Sequence, residues 1–448
     1  MDRVTGNDES YLLAEQLFGL SAPIQFCWVL PHEPGPRALA DLHAELCRGP
    51  LSRKVVRSRV PFARDRWVRS ERPADVIVSS EAIDDADVAG WFDSRVRSVR
   101  LDPVGGRGWE LEAVALRSGR MAVSLLVSHM VSDGQGVYRA LDAAASSASR
   151  TTLASESAVR GIGGLRADVV DAVVQIGAAA RSLGLLLAAT PRALLVSRRS
   201  PSRPRPPRPT ASTPVSSEDA PEPTLAFYDL DRDRWRFRAG ELGGTSNSLF
   251  TGLISGLAHR AGVAADTGDM RVCMAVSTRE GEEDLRANAS GGVWITVPTP
   301  TSASTGLSAI RAASKQAFAD YAATGDRQAA DNLQPVVRLL PRRLIATMMR
   351  SIPGPDTTVS NLGAVPESAL RIGDVTAESF SIRALMQGQT PEMRRMTGPA
   401  LAAWAVEYGS TVTIAFFGIS PDHFGDADAL HDDIRAELES WELAYSAW

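Results

Sequence analysis

One segment of this 448-residue chain gathers groups that can move a proton: Ser128-His129-Met130-Val131-Ser132-Asp133-Gly134. It follows Met121 to Val127, a nearly continuous apolar run of the kind that forms a buried strand. A strand that delivers a histidine into a glycine-containing turn sets the imidazole at a strand end, where sites are commonly built. Such an imidazole titrates near neutrality, so its neutral form can take a proton from an attacking hydroxyl or amine. Asp133 invites a relay with His129, but the intervening turn can equally aim that carboxylate away to hold the loop. Gly134 and the amides after it open a helix, so a backbone N–H there could face an oxyanion. A lone histidine after an apolar strand is more often a hydrogen-bonded structural group than a base, so the chemical reading needs support from elsewhere in the chain. The other histidines, His32, His43, His259, His423 and His431, lie beside turns or on helical faces and read as solvent or packing residues.

The elements that must position His129 are short. Strands are expected at Ile24 to Leu30, Val55 to Phe62, Trp109 to Leu116 and Met121 to His129, with helices at Arg37 to Cys47 and Gly136 to Ser146. Leu165 to Val196 reads as a mostly apolar helical arm. After it, Ser197 to Pro223 crowds Pro, Ser and Arg together, which removes backbone donors and leaves an extended, solvated tether. Alternation then resumes: strands at Leu225 to Leu230, Val272 to Val276, Gly292 to Val297, Thr357 to Asn361 and Thr411 to Phe417. Helices are expected at Thr245 to Ala261, Ala309 to Thr324 and Ala427 to Trp441. Two comparable halves of mixed strand and helix, residues 1–165 and 224–448, are thus joined by an arm and linker at 166–223.

Composition bounds the partners. With 44% hydrophobic and 23% charged residues and a net charge of −5, the chain is globular and offers no basic surface for a polyphosphate backbone, which argues against nucleic acid. Three scattered cysteines, Cys27, Cys47 and Cys273, suit neither a disulfide framework nor a CxxC metal site, and no metal is expected. Nor is there a GxxxxGK[ST] loop or a GxSxG nucleophile turn. The acidic N-terminus does not look like a secretory signal, so a cytoplasmic protein is expected, with peripheral membrane contact as the alternative. Apolar helices the length of Val169 to Leu195 mostly pack against their own protein, and that is the expectation for the arm ahead of a lipid surface.

The pattern HxxxDG, present as His129-Met130-Val131-Ser132-Asp133-Gly134, resembles the signature of the CoA-dependent acyltransferase superfamily, which includes chloramphenicol acetyltransferase and condensation domains. The resemblance extends over most of the chain. Leu101-Asp102-Pro103 and Trp109 to Val114 resemble the approach to the motif in wax ester synthases and diacylglycerol acyltransferases. Thr245 to Leu249, Ala275 to Glu280, Leu285-Arg286-Ala287-Asn288 and Val359 to Gly363 follow in that family's order. The sequence departs from wax ester synthases in one place: Ser128 stands where they usually carry a first histidine.

The resemblance implies an α/β (α+β) fold of two chloramphenicol acetyltransferase-like halves, a pseudo-dimer with an active-site tunnel between them. His129 would be the general base. Asp133 would be structural, paired with Arg279, with Gly134 beside them; Ser360 and Asn361 would lie near the donor channel. Without the resemblance, Asp133 and Arg279 could be ordinary surface charges, and Ser360-Asn361-Leu362-Gly363 reads as a strand leading to a turn. No bound cofactor is implied; acyl-CoA, or an acyl carrier protein thioester, would be the co-substrate. The expected activity is acyl transfer to an alcohol acceptor, small or lipid. The alternatives are a condensation-type enzyme that uses a carrier-protein thioester and an amine or alcohol, and a non-catalytic binding homologue.

Overall fold

In a computed structural model the chain is described over residues 3–72, 76–197, 221–264, 268–281, 284–324, 336–351, 353–396 and 398–448. The proline-rich tether lies, over residues 198–220, outside the described residues.

Two mixed sheets organise the molecule. The five-stranded sheet has the order Ser379–Ala384, Pro23–Leu30, Met121–Ser128, Trp109–Ala115, Val76–Val78. The seven-stranded sheet has the order Tyr445–Ala447, Thr224–Asp231, Thr411–Gly418, Leu401–Tyr408, Thr357–Ala364, Asp269–Ser277, Ser290–Pro298. All eight residues of Pro23–Leu30 and of Met121–Ser128 are buried, as expected of central strands covered on both faces. Phe26, Trp28, Trp109, Leu125 and Val127 of the first sheet pack with Tyr138 of the helix Gly134–Ala145. Below the second sheet the helix Ser246–Arg260 is buried from Ser248 to Ala258, and Leu249, Phe250, Leu253 and Leu257 fill its core with Val272, Phe416 and Trp441. That helix passes the C-terminal helix Ala427–Ser440 closely: a Cβ at Gly256 would come within 2.0 Å of Glu437 Oε1.

The halves are not separable at the tether. Ser379–Ala384 comes from the second half of the sequence but pairs antiparallel with Pro23–Leu30 in the first sheet, Phe380 opposite Trp28. A shared apolar cluster joins Leu126 of the first half to Leu225, Leu385, Ala402 and Phe417 of the second.

Two differences from the sequence reading have clear causes. The strand expected at Val55 to Phe62 is confined to Arg53–Val56, paired with Arg66–Arg69. Beyond it Pro61 has no N–H for a ladder and Phe62 adopts a φ of 71°. The helix Gly6–Phe18 was not among the expected elements, although Thr5 and Asp8 form a capping box at its start. The arm is the helix Ile162–Ser197. It packs on the protein through Asp168 and Asp171, which pair with Arg66 and Arg64, while Val170, Val173 and Val174 face outward. The arm was expected to pack on its own protein, and it does so through these two acids rather than its valines, because Arg64 and Arg66 take their carboxylates. No described helix is long and apolar enough to cross a membrane.

Candidate active site

His129 leaves the first sheet immediately after Ser128, with its backbone N–H donating to Ala22 O at 2.8 Å. His129 lines a chamber of about 730 Å³ that is open to solvent on one side and walled by residues of both sheets. Tyr11 and Phe18 of the helix Gly6–Phe18 line one part of the wall, and Ala275, Thr358, Ser360, Ala402 and Trp404 of the second sheet another. Leu385, Met386, Met393, Met396 and Met349 add flexible apolar surface. A second cavity, about 810 Å³, lies on the outer side of the helices Ala38–Arg48 and Gly134–Ala145. Its charged lining of Asp41, Glu45, Arg48, Glu367 and Arg371 includes none of the residues that the sequence singled out.

The ring of His129 is held on two sides. Tyr11 stacks on it, with centroids 4.4 Å apart and planes 19° from parallel. At the edge, Nδ1 lies 3.0 Å from Asn288 Oδ1. The Asn288 amide group cannot be turned over, because its Nδ2 donates to His129 O (2.7 Å), Asp8 Oδ1 (3.0 Å) and Met130 O (3.3 Å), all acceptors. The atom facing the imidazole is therefore the oxygen, and Nδ1 must carry the proton. Nε2 keeps its lone pair and is the nitrogen left to act as a base. Asp8, fully buried, anchors this arrangement: Oδ1 also accepts from Asn288 N at 3.1 Å, and Oδ2 accepts from Thr5 N and Trp67 Nε1.

Asp133 takes no part in the histidine's hydrogen bonding. Its Oδ1 caps the helix Gly134–Ala145 by accepting from Gly136 N at 2.7 Å, and its Oδ2 accepts from Ala289 N at 2.7 Å. Arg279 Nη2 donates to Oδ1 at 2.7 Å and to Ala287 O at 3.1 Å, and Nη1 donates to the carbonyls of Asp284 and Arg286. Arg279 and Asn288 both belong to the link between Asp269–Ser277 and Ser290–Pro298, so that link of the second sheet holds the first sheet's motif in place. Ser360 lines the chamber with His129. Asn361 does not: its Oδ1 accepts from Gly363 N at 3.0 Å and closes a local turn. Gly134 opens the helix away from the chamber wall, where a Cβ would lie 2.7 Å from Leu362 Cδ2.

Sequence reasoning gave no role to Tyr11, Asp8 or Asn288. Asn288 appeared only as part of an ordered resemblance, and the capping box that marks the helix of Asp8 and Tyr11 carries no hint of where its residues point. Of the remaining histidines, His43 packs near Trp109, His423 bonds Ala261 O, and His431 bonds the Tyr228 hydroxyl.

Burial pulls the His129 pKa below the ordinary histidine value, against the opposing pull of the Asp133 carboxylate and hydrogen bonds to its own backbone and Asn288. The shift favours the neutral ring, which loses its capacity to accept a proton only as pH falls through that lowered value. The acid limb of a kcat/KM profile is therefore expected below pH 6.5; a limb at or above the ordinary value would contradict this environment.

Asn288→Ala removes the acceptor at Nδ1 and frees the ring to change tautomer. The expected result is a fall in kcat of roughly tenfold to a hundredfold, the scale for losing a group that orients a histidine. KM should change less, because Asn288 does not line the chamber. Steady-state kinetics separates the two.

No family model and no curated protein matches the sequence. Solved structures do match. The condensation domain from the monacolin K polyketide synthase superposes with a TM-score of 0.59 at 14% identity, covering 98% of this chain and 96% of that one. The first condensation domain of the CDA synthetase gives 0.58 at 15% identity over 100% and 99% of the two chains. The wax ester synthase/diacylglycerol acyltransferase from Marinobacter aquaeolei VT8 gives 0.55 at 13% identity over 98% of both. At these identities the likeness is one of fold: this chain has the two-halved fold of condensation domains and wax ester synthases, as the sequence resemblance implied.

Proposed function

We propose that this protein transfers an acyl group from acyl-CoA to an alcohol, without a covalent acyl-enzyme, using His129 as general base. One observation supports the reading: His129 lines an apolar chamber walled by both halves, and Asn288 Oδ1 faces its Nδ1, an arrangement that leaves Nε2 without a proton. His129 Nε2 takes the proton of the acceptor hydroxyl as its oxygen attacks the thioester carbonyl. A C–O bond forms, the C–S bond breaks, and the imidazolium returns the proton to the departing thiolate, which gives an ester and a free thiol. Ser360 supplies a hydroxyl on that wall for substrate binding.

The chamber's methionines and aromatics favour an apolar acyl chain or acceptor, since they offer dispersion contact and few polar partners. Incubation of purified protein with acyl-CoA and a series of alcohols should release free thiol in proportion to ester formed. Thiol release only from a carrier-protein thioester, or only with amines, would move the reading to condensation in specialised metabolism. No release from either donor would leave a binding homologue.

A further inference from the structure

The arm helix Ile162–Ser197 has its polarity inverted for an element that serves only to pack on its own protein. Asp168 and Asp171, 3% and 8% exposed, point inward to Arg3, Arg66 and Arg64. Val170, Val173 and Val174, 57 to 66% exposed, point outward. Among the described residues of the helix the exposed charges are Arg166 and Arg181, because both acids are consumed in buried ion pairs. The sequence continues in the same sense: from Gly161 to Ser217 it holds eight arginines and two acids.

A second element follows a contact with the arm: Arg338, four residues before the helix Arg342–Ser351, donates to Gln175 of the arm at 2.5 Å and to Glu9 at 2.7 Å. That helix exposes Arg342, Arg343 and Leu344, while Met349 and Arg350 from the same helix line the chamber that holds His129. Outward valines bordered by arginines, with no exposed acid on the arm, match an interfacial surface that sinks apolar side chains among acyl chains and sets its cations against anionic headgroups. A second copy of the chain is the poorer occupant, since a twofold contact would bring Arg166 and Arg181 against the same arginines.

We propose that the outward face of the arm, together with Arg342 and Arg343, docks this protein on an anionic lipid bilayer and brings the chamber's Met349–Arg350 side near the membrane that would supply apolar substrate. Docking does not depend on the catalytic reading, and its test needs no turnover.

The full chain is sedimented with vesicles of phosphatidylcholine alone and of phosphatidylcholine mixed with phosphatidylglycerol. Binding to the anionic vesicles is expected to be about tenfold stronger than to the neutral ones and to weaken with salt. It is expected to fall about tenfold or more in Val170→Asp/Val173→Asp and, separately, in Arg342→Glu/Arg343→Glu, with thermal midpoints unchanged in both. The second pair keeps the test decisive if the valine variant folds poorly. Equal binding by wild type and the arginine pair, or no binding to anionic vesicles, overturns the proposal. So does a wild-type dimer that Val170→Asp/Val173→Asp converts to monomer, which would assign the face to a second copy.

Discussion

His129→Ala is expected to lower acyl transfer by about two to four powers of ten, the usual contribution of a positioned general base. The loss should fall on kcat. The chamber wall is otherwise untouched, and apolar substrates would still be held by Tyr11, Trp404 and the methionines. Thiol release from acyl-CoA in the presence of the best alcohol measures it directly. The variant also separates chemistry from binding: a substrate that stabilises wild type against heat should stabilise His129→Ala to a similar degree. If the variant releases thiol as fast as wild type, the proton acceptor is another group and the geometry around Nε2 has no catalytic meaning. Residual activity is expected even in the working case, because orientation of the substrates in the chamber does not depend on the base.

Arg279→Met is expected to cost about 3–5 kcal/mol of stability, because it leaves the Asp133 carboxylate buried without its countercharge. The pair is 4% and 7% exposed, so water offers little replacement. Asp133 keeps the N–H groups of Gly136 and Ala289, which retain the helix cap but not the charge balance. Arg279 also ties the carbonyls of Asp284, Arg286 and Ala287, so its removal loosens the segment that carries Asn288. The double change Arg279→Met/Asp133→Asn removes the orphaned charge and should recover part of the loss, a non-additivity expected of contacting residues. Urea unfolding followed by tryptophan fluorescence measures all three proteins. A single-variant cost below about 1 kcal/mol would place the pair among ordinary surface ion pairs.

Wherever periodicity and punctuation act locally, the sequence was legible. Met121–Ser128 is written as a nearly continuous apolar run, Gly134–Ala145 begins at a capping aspartate, and Ser246–Arg260 carries no charge from Ser248 to Ala258, the stretch that is buried on all sides. Less legible was Ser379–Ala384, whose Ser-Phe-Ser-Ile-Arg-Ala alternates like many edge segments and says nothing of which sheet it joins. The arm was expected to pack on its own protein, but which face it turns inward was not legible: the two aspartates that decide its orientation find their arginines about a hundred residues away, at Arg64 and Arg66.

From its residues alone the chain determined that His129 stands at the end of a buried strand and that a turn and a capped helix follow, because strand, turn and cap are set by neighbours in sequence. The Asp133–Arg279 pair could be named only by resemblance. Tertiary structure decided the rest: which tautomer the imidazole holds, what covers its face, and which wall it meets. The His129–Asn288 contact spans 159 residues and Asp8–Asn288 spans 280. A hydrogen bond depends on distances of a few tenths of an ångström and on direction, and neither exists until the two sheets have closed on one another.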